Sequence, residues 1–130
     1  MSMRTRVLVV DDEQRFAFNM VKLLSLSDIA AEAAYSGEEA LERLKEDAFD
    51  VVLLDVRLPG LTGQATLERL HAAGIEAKVI AVTGHASADD ALELLRLGAF
   101  DYILKPCKTE KILELIDKAH KQLTKERAGA

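Results

Sequence analysis

Three runs of four residues are apolar at every position, Val7–Val10, Val51–Leu54 and Val79–Val82, and a shorter one follows at Tyr102–Leu104. The three longer runs are too short for helices and end at polar residues, the pattern of strands buried on both faces, and the shorter one is a short last strand closed by Lys105-Pro106. Ile29–Tyr35 is Ala-rich and interrupted by Glu32, but its length and flanking turn residues make it a further strand. Between these runs apolar positions recur at helical spacing. Phe16, Met20, Leu23 and Leu24 mark a helix over Gln14–Ser25. Ala40, Leu41 and Leu44 mark a second, opened by the capping box Ser36-Gly37-Glu38-Glu39, in which the Ser hydroxyl accepts from the N3 amide and Glu39 reaches back to the Ser36 amide. A third, Gly63–Ala73, follows the turn Leu58-Pro59-Gly60-Leu61, takes Thr62 as its cap and ends at Gly74. In the fourth, Ser87 is the N-cap, Ala88, Ala91, Leu92 and Leu95 face inward and Gly98 ends it. Leu94 and Leu97 widen its apolar surface, as more buried face or as a surface for a partner. Ile112, Ile116, Ala119 and Leu123 line the last helix, and the polar tail Lys125–Ala130 is expected to fray.

The order is strand then helix, five times over, which predicts a parallel sheet covered by helices on both faces. A closed eight-fold barrel needs about twice this length. What remains is an open, doubly wound, flavodoxin-like α/β fold: five parallel strands in the order 2-1-3-4-5 with five flanking helices. At 130 residues the chain has the length of one domain, expected to occupy 1–130 with a core of about 5–123. The 17 basic and 22 acidic residues sum to −5, a poor match to the basic surface that nucleic-acid binding needs, so no direct nucleic-acid contact is expected. No apolar run approaches the ~20 residues of a membrane span, and the stretch after Arg6 is shorter than the ~7 of a signal peptide, so the expected location is cytoplasmic and off the membrane. A single cysteine, Cys107, excludes an internal disulfide framework and a thiolate zinc site.

Four of the apolar runs end in polar residues with chemical capacity: Asp11-Asp12, Asp55, Thr83 and Lys105. A parallel sheet puts all its carboxyl ends on one edge, and the order 2-1-3-4-5 makes strands 1, 3, 4 and 5 neighbours. These residues therefore meet in one crevice near the point where strand order switches. Three carboxylates there repel one another, so one takes a proton or a cation compensates them. One lysine cannot balance three charges. A hard, oxygen-liganded divalent ion can, and Mg²⁺ suits few carboxylates together with water and phosphate. An ammonium and a hydroxyl beside such a site suit a phosphoryl group, and a carboxylate nucleophile would give an aspartyl phosphate.

Val9-Val10-Asp11-Asp12-Glu13, Leu54-Asp55-Val56-Arg57-Leu58-Pro59-Gly60, Val82-Thr83-Gly84 and Asp101-Tyr102-Ile103-Leu104-Lys105-Pro106, in this order and spacing, resemble the response-regulator receiver domain of two-component signalling. The resemblance runs from about Arg6 to Leu123, and Gly84–Tyr102 is similar to receivers of the nitrogen-regulation type. It implies that Asp55 is the phosphoacceptor, served by a histidine kinase or phosphotransfer protein. It implies Mg²⁺ (or Mn²⁺) held by Asp12 directly, by Asp11 through a water, and by Asp55 and the backbone carbonyl of Arg57. Thr83 would donate its hydroxyl to the phosphoryl group, and Lys105 would pair with Asp55 before the reaction and with a phosphoryl oxygen after it. The Lys105-Pro106 peptide is expected to be cis, which the tertiary amide permits for about 0.5–1 kcal/mol. Tyr102 occupies the place of the switch aromatic, turning inward as Thr83 moves and altering the face of the fourth helix, fifth strand and fifth helix for a partner. The resemblance implies a module that catalyses only its own phosphorylation and slow autodephosphorylation. Its implied partners are a downstream protein or an attached output domain, and its implied state is a monomer or a weak, phosphorylation-dependent dimer.

Some residues are particular to this chain. Arg57 lies two residues after Asp55 and His85 two after Thr83, both expected to flank the phosphate site and tune the lifetime of the phosphorylated state. Cys107 stands where a large apolar residue is common and reads as a small filler, and His71 and His120 read as surface residues. Three other functions compete. A phosphohydrolase of the haloacid-dehalogenase type needs an acid two residues after its nucleophile, where this chain has Arg57. A nucleotide or flavin binder would carry a glycine-rich phosphate loop, and none follows a strand here. The remaining alternative is a pseudo-receiver, a protein-binding scaffold that is never phosphorylated.

Overall fold

A computed structural model describes residues 4–84 and 88–129. Strands and helices alternate as β1 (Arg6–Val10), α1 (Gln14–Leu26), β2 (Ala30–Ala34), α2 (Gly37–Glu46), β3 (Val51–Asp55), α3 (Gly63–Ala72), β4 (Lys78–Thr83), α4 (Ala88–Arg96), β5 (Asp101–Leu104) and α5 (Thr109–Gly129). All neighbouring strands are parallel and their order is β2-β1-β3-β4-β5, as the alternation predicts.

Because successive strand residues point to opposite faces, the apolar runs of β1, β3 and β4 feed two cores, whereas β5 buries only Ile103 and turns Tyr102 and Leu104 to solvent. Leu8, Val10, Val52, Leu54, Val79 and Ala81 pack with Ala40, Leu44, Leu67, Leu70 and Leu94 from α2, α3 and α4. Val7, Val9, Val51, Leu53, Ile80 and Val82 pack on the other side with Ala17, Met20 and Leu24 of α1 and Ile112, Ile116 and Ala119 of α5. β2, at the edge, is only half-buried for most of its length, which is why its pattern was the weakest of the five.

The helix faces depart from the pattern in places. In α4 the inward residue is Leu94, fully buried, while Leu92 points to solvent and is 54% exposed. Ala91 and Leu94 lie three apart on one face, and the widening expected of Leu94 and Leu97 is buried face, with Leu94 in the core and Leu97 partly buried against it, so that Leu92 leaves the inward stripe. In α1, Ala17 takes the buried place that Leu23 was expected to hold. The capping box forms through Ser36, whose hydroxyl accepts from Glu39 N at 3.0 Å, but the Glu39 carboxylate accepts from Tyr35 N rather than from Ser36. The Ser87 cap lies outside the described residues.

The tail does not fray: α5 continues through Lys125 to Gly129. Side-chain ion pairs at the amino edge of the sheet account for this. Lys78 Nζ meets Glu126 at 2.8 Å, and Arg127 reaches Asp50 and Glu76, each at 3.5 Å.

Candidate functional site

The site is built by strand register. Val10 pairs with Leu54, Asp55 with Val82 and Thr83 with Leu104, so the first residues beyond β1 and β5 and the last of β3 and β4 share the carboxyl edge of the sheet. The backbone ties these ends together: Val56 N–H donates to the Val82 carbonyl at 3.0 Å and Lys105 N–H to the Thr83 carbonyl at 2.7 Å. The Lys105-Pro106 peptide is cis. Gly63, at the start of α3, presses against this edge. A Cβ there would stand 2.7 Å from the Asp55 carbonyl oxygen and 2.9 Å from that of Val56, so the helix can approach only without a side chain.

Asp11, Asp12 and Asp55 each bring a carboxylate oxygen within 4.8 Å of the others. Asp11 and Asp55 are buried and Asp12 is exposed. Both Asp11 oxygens are engaged: Oδ1 accepts from Glu13 N–H at 2.9 Å and Oδ2 from the Lys105 ammonium at 2.7 Å. Asp55 Oδ1 accepts from Arg57 N–H at 3.0 Å. Lys105 thus pairs with Asp11 and, at 3.7 Å, with Glu13, where pairing with Asp55 was expected. The nearer, fully buried carboxylate has the greater need of a counter-charge. The ammonium also rests 3.9 Å above the centre of the Phe16 ring.

These contacts set the proton affinities. Burial, and then the charges of Asp11 and Asp12, outweigh the Arg57 N–H bond and the pull of Lys105, raising the Asp55 carboxyl from 3.8 to about 6. Burial alone would lower the Lys105 ammonium. The hydrogen bond and charge of Asp11, with Asp55 and Glu13 behind it, reverse that and raise its pKa above 10.5.

Asp12, Asp55, Arg57 and Lys105, with Glu13, Phe16, Gly84 and Pro106, line a cleft of about 590 Å³ open to solvent. Thr83, the last residue of β4, is buried and does not line the cleft, and Tyr102, on β5, faces outward at 41% exposure. Arg57 extends over the rim toward α4 and meets Asp90 at 3.6 Å. His85 lies outside the described residues. Cys107 is half-buried against the α1 and α5 core, in keeping with a filler, and His71 is exposed while His120 is half-buried. The sequence reading missed Glu13, Phe16 and Asp90. Glu13 was legible as the third acid of an unbroken run, whereas Phe16 and Asp90 join the site through packing that no local pattern reports.

The donor set fits a divalent ion: hard oxygens only, three carboxylates, and one ammonium already committed to Asp11. No helix among the described residues is long and apolar enough to cross a membrane.

The response regulator receiver domain family matches residues 7–117. The transcriptional regulatory protein ZraR of Salmonella typhimurium is 35% identical over 113 residues, which are 87% of this chain and 26% of that protein. The transcriptional regulatory protein DltR of Streptococcus agalactiae is 36% identical over 111 residues, 85% of this chain and 50% of that one. The chain therefore spans between a quarter and a half of the length of these relatives. A CheY-like receiver domain protein of Methanospirillum hungatei superposes with a TM-score of 0.89 at 31% identity, over 95% of this chain and 99% of that one. NtrX of Brucella abortus superposes with a TM-score of 0.91 at 29% identity, over 97% of this chain and 29% of that one.

Proposed function

Because this chain belongs to the response regulator receiver domain family, we propose that it is a phosphoacceptor module whose Asp55 takes a phosphoryl group from the histidine of a kinase or phosphotransfer protein. The observation that carries the reading is the meeting of Asp11, Asp12 and Asp55 beside the Lys105 ammonium in one solvent-open cleft. With a pKa of about 6, Asp55 is mostly ionised at neutral pH and nucleophilic. Its Oδ1 is held by Arg57 N–H, so Oδ2 makes the attack. The new P–O bond forms as the P–N bond to the donor histidine breaks, and the leaving imidazole keeps the electron pair and takes up a proton.

Asp11, Asp12, Asp55 and the Arg57 carbonyl are the groups that would hold Mg²⁺ or Mn²⁺. When bound, the ion offsets the charge of the carboxylates and of the phosphoryl oxygens. Lys105 would turn from Asp11 to a phosphoryl oxygen, and Thr83 would donate its hydroxyl to another. Tyr102 would leave its outward position and pack behind Thr83, changing the face that α4, β5 and α5 present. Leu92 and Leu104 already expose apolar surface there. The reader of that face is a downstream protein or an attached output domain. ZraR and DltR are transcriptional regulatory proteins, so in a longer chain that output could bind DNA while this domain does not. Arg57 and His85 tune how long the acyl phosphate lasts.

The test is intact mass after incubation with Mg²⁺ and acetyl phosphate, beside Asp55→Asn. One added phosphoryl group, absent with EDTA and in the variant, is expected. No added mass, together with no beryllofluoride binding, would leave the scaffold reading.

A further inference from the structure

Arg57 has two attachments that pull in different directions. Its N–H holds the phosphoacceptor carboxylate, Asp55 Oδ1, at 3.0 Å. Arg57 lines the cleft that contains Asp55, yet its guanidinium pairs with Asp90, in the first turn of α4, at 3.6 Å. Arg57, in the loop after β3, and Asp90, in α4, are 33 residues apart in sequence, so this pair is a bridge from the phosphoacceptor loop to the start of α4.

The bridge is weak as it stands. Arg57 is 69% exposed and Asp90 38%, the contact is longer than a good charge-assisted hydrogen bond, and exposed pairs of this kind are easily exchanged. A phosphoryl group on Asp55 would put nearly two negative charges in place of the carboxylate's one, and three acceptor oxygens, on the residue that the Arg57 backbone already touches. A guanidinium binds such a group in a planar, two-pronged manner that a single carboxylate oxygen at 3.6 Å does not match.

We propose that Asp90 is a positioning residue of the phosphorylation site that acts through Arg57, holding the guanidinium on α4 in the unphosphorylated protein and yielding it to the phosphoryl group. This rests on the phosphoacceptor reading and adds a competitor to it. Phosphorylation then has a direct mechanical consequence: α4 loses its tie to the loop after β3. Linkage makes the effect reciprocal. Whatever draws Asp90 away from Arg57, a partner docked on α4 included, tightens the hold of the site on its phosphoryl group.

The experiment is a calorimetric titration of the Mg²⁺-loaded protein with beryllofluoride, a phosphoryl mimic that does not turn over. It compares the wild type with Asp90→Asn, Arg57→Ala and the double variant. Asp90→Asn is expected to bind about two- to five-fold more tightly, the worth of one exposed ion pair. Arg57→Ala is expected to bind more weakly, and adding Asp90→Asn to it is expected to change nothing further. Asp90 has other interactions, and the double variant separates these: a gain that persists without Arg57 overturns the proposal. Unchanged affinity in Asp90→Asn overturns it too, while leaving the phosphoacceptor reading intact. Failure of the wild type to bind beryllofluoride overturns both.

Discussion

Replacing Asp55 with Asn should make the metal-free fold more stable, although it removes the residue around which the site is built. Asp55 is 7% exposed, and its carboxyl is raised from 3.8 to about 6. The native state therefore holds the proton more tightly than the unfolded chain does. Ionisation costs stability in full above about pH 6, in part between 6 and 3.8, and not at all below 3.8. Two pH units at about 1.36 kcal/mol each put the full cost near 3 kcal/mol. Asn keeps the acceptor for Arg57 N–H and carries no charge. Its amide must still lose water, so the expected gain is about 1–3 kcal/mol at pH 8 in EDTA. At pH 4.5 the ionisation cost falls to about a third of its full value, so the gain should drop by about 2 kcal/mol, because the wild-type carboxyl is then mostly protonated in the native state. Urea unfolding of both proteins at the two pH values measures this. Equal stability at pH 8, or a gain of the same size at both, would refute the claim that burial and crowded charge set the state of Asp55.

Four further outcomes are expected. Mg²⁺ should stabilise the wild type in scanning calorimetry, by about 1.4 kcal/mol at ten times its Kd, and the gain should be largely lost in Asp12→Asn; an equal gain in the variant would place the ion elsewhere. Leu94→Ala should cost about 2–5 kcal/mol in urea unfolding, whereas Leu92→Ala should stay within about 0.5 kcal/mol of wild type. Gly63→Ala should cost about 1–3 kcal/mol, because its Cβ would meet the Asp55 and Val56 carbonyls. Lys78→Ala should speed amide exchange over Lys125–Gly129 by releasing Glu126, with Ile112–Leu123 unaffected.

What could be read in advance follows from which interactions are local. β1, β3 and β4 were legible because their apolar runs are buried on both faces, and the meeting of the strands' carboxyl ends follows from alternation and chirality alone. Asp11, Asp12, Asp55 and Lys105 converge for that reason and for no other. The choice Lys105 makes between two buried carboxylates was not legible, since both lie on one sheet edge and only the course of the lysine side chain decides which oxygen its ammonium meets, here Asp11 Oδ2 at 2.7 Å. Leu92 and Leu94 are chemically identical, and only the rotation of α4 against the sheet decides which is core. The tail looked unstructured because its sequence has no apolar stripe beyond Leu123. Its order comes from partners at the start of β3 and β4, distant in sequence and invisible to periodicity.

That anchored tail makes α5 a rod. Its 21 residues span about 32 Å, from just beyond the Lys105-Pro106 bend to the opposite edge of the sheet, where Lys78 and Asp50 grip it. A segment that continued this helix past Gly129 would inherit its phase. One residue inserted would turn whatever follows by about 100° and advance it by about 1.5 Å, while seven would bring it nearly back into alignment. For a chain fused to this domain, the number of residues in the junction would set which side of the partner faces the domain.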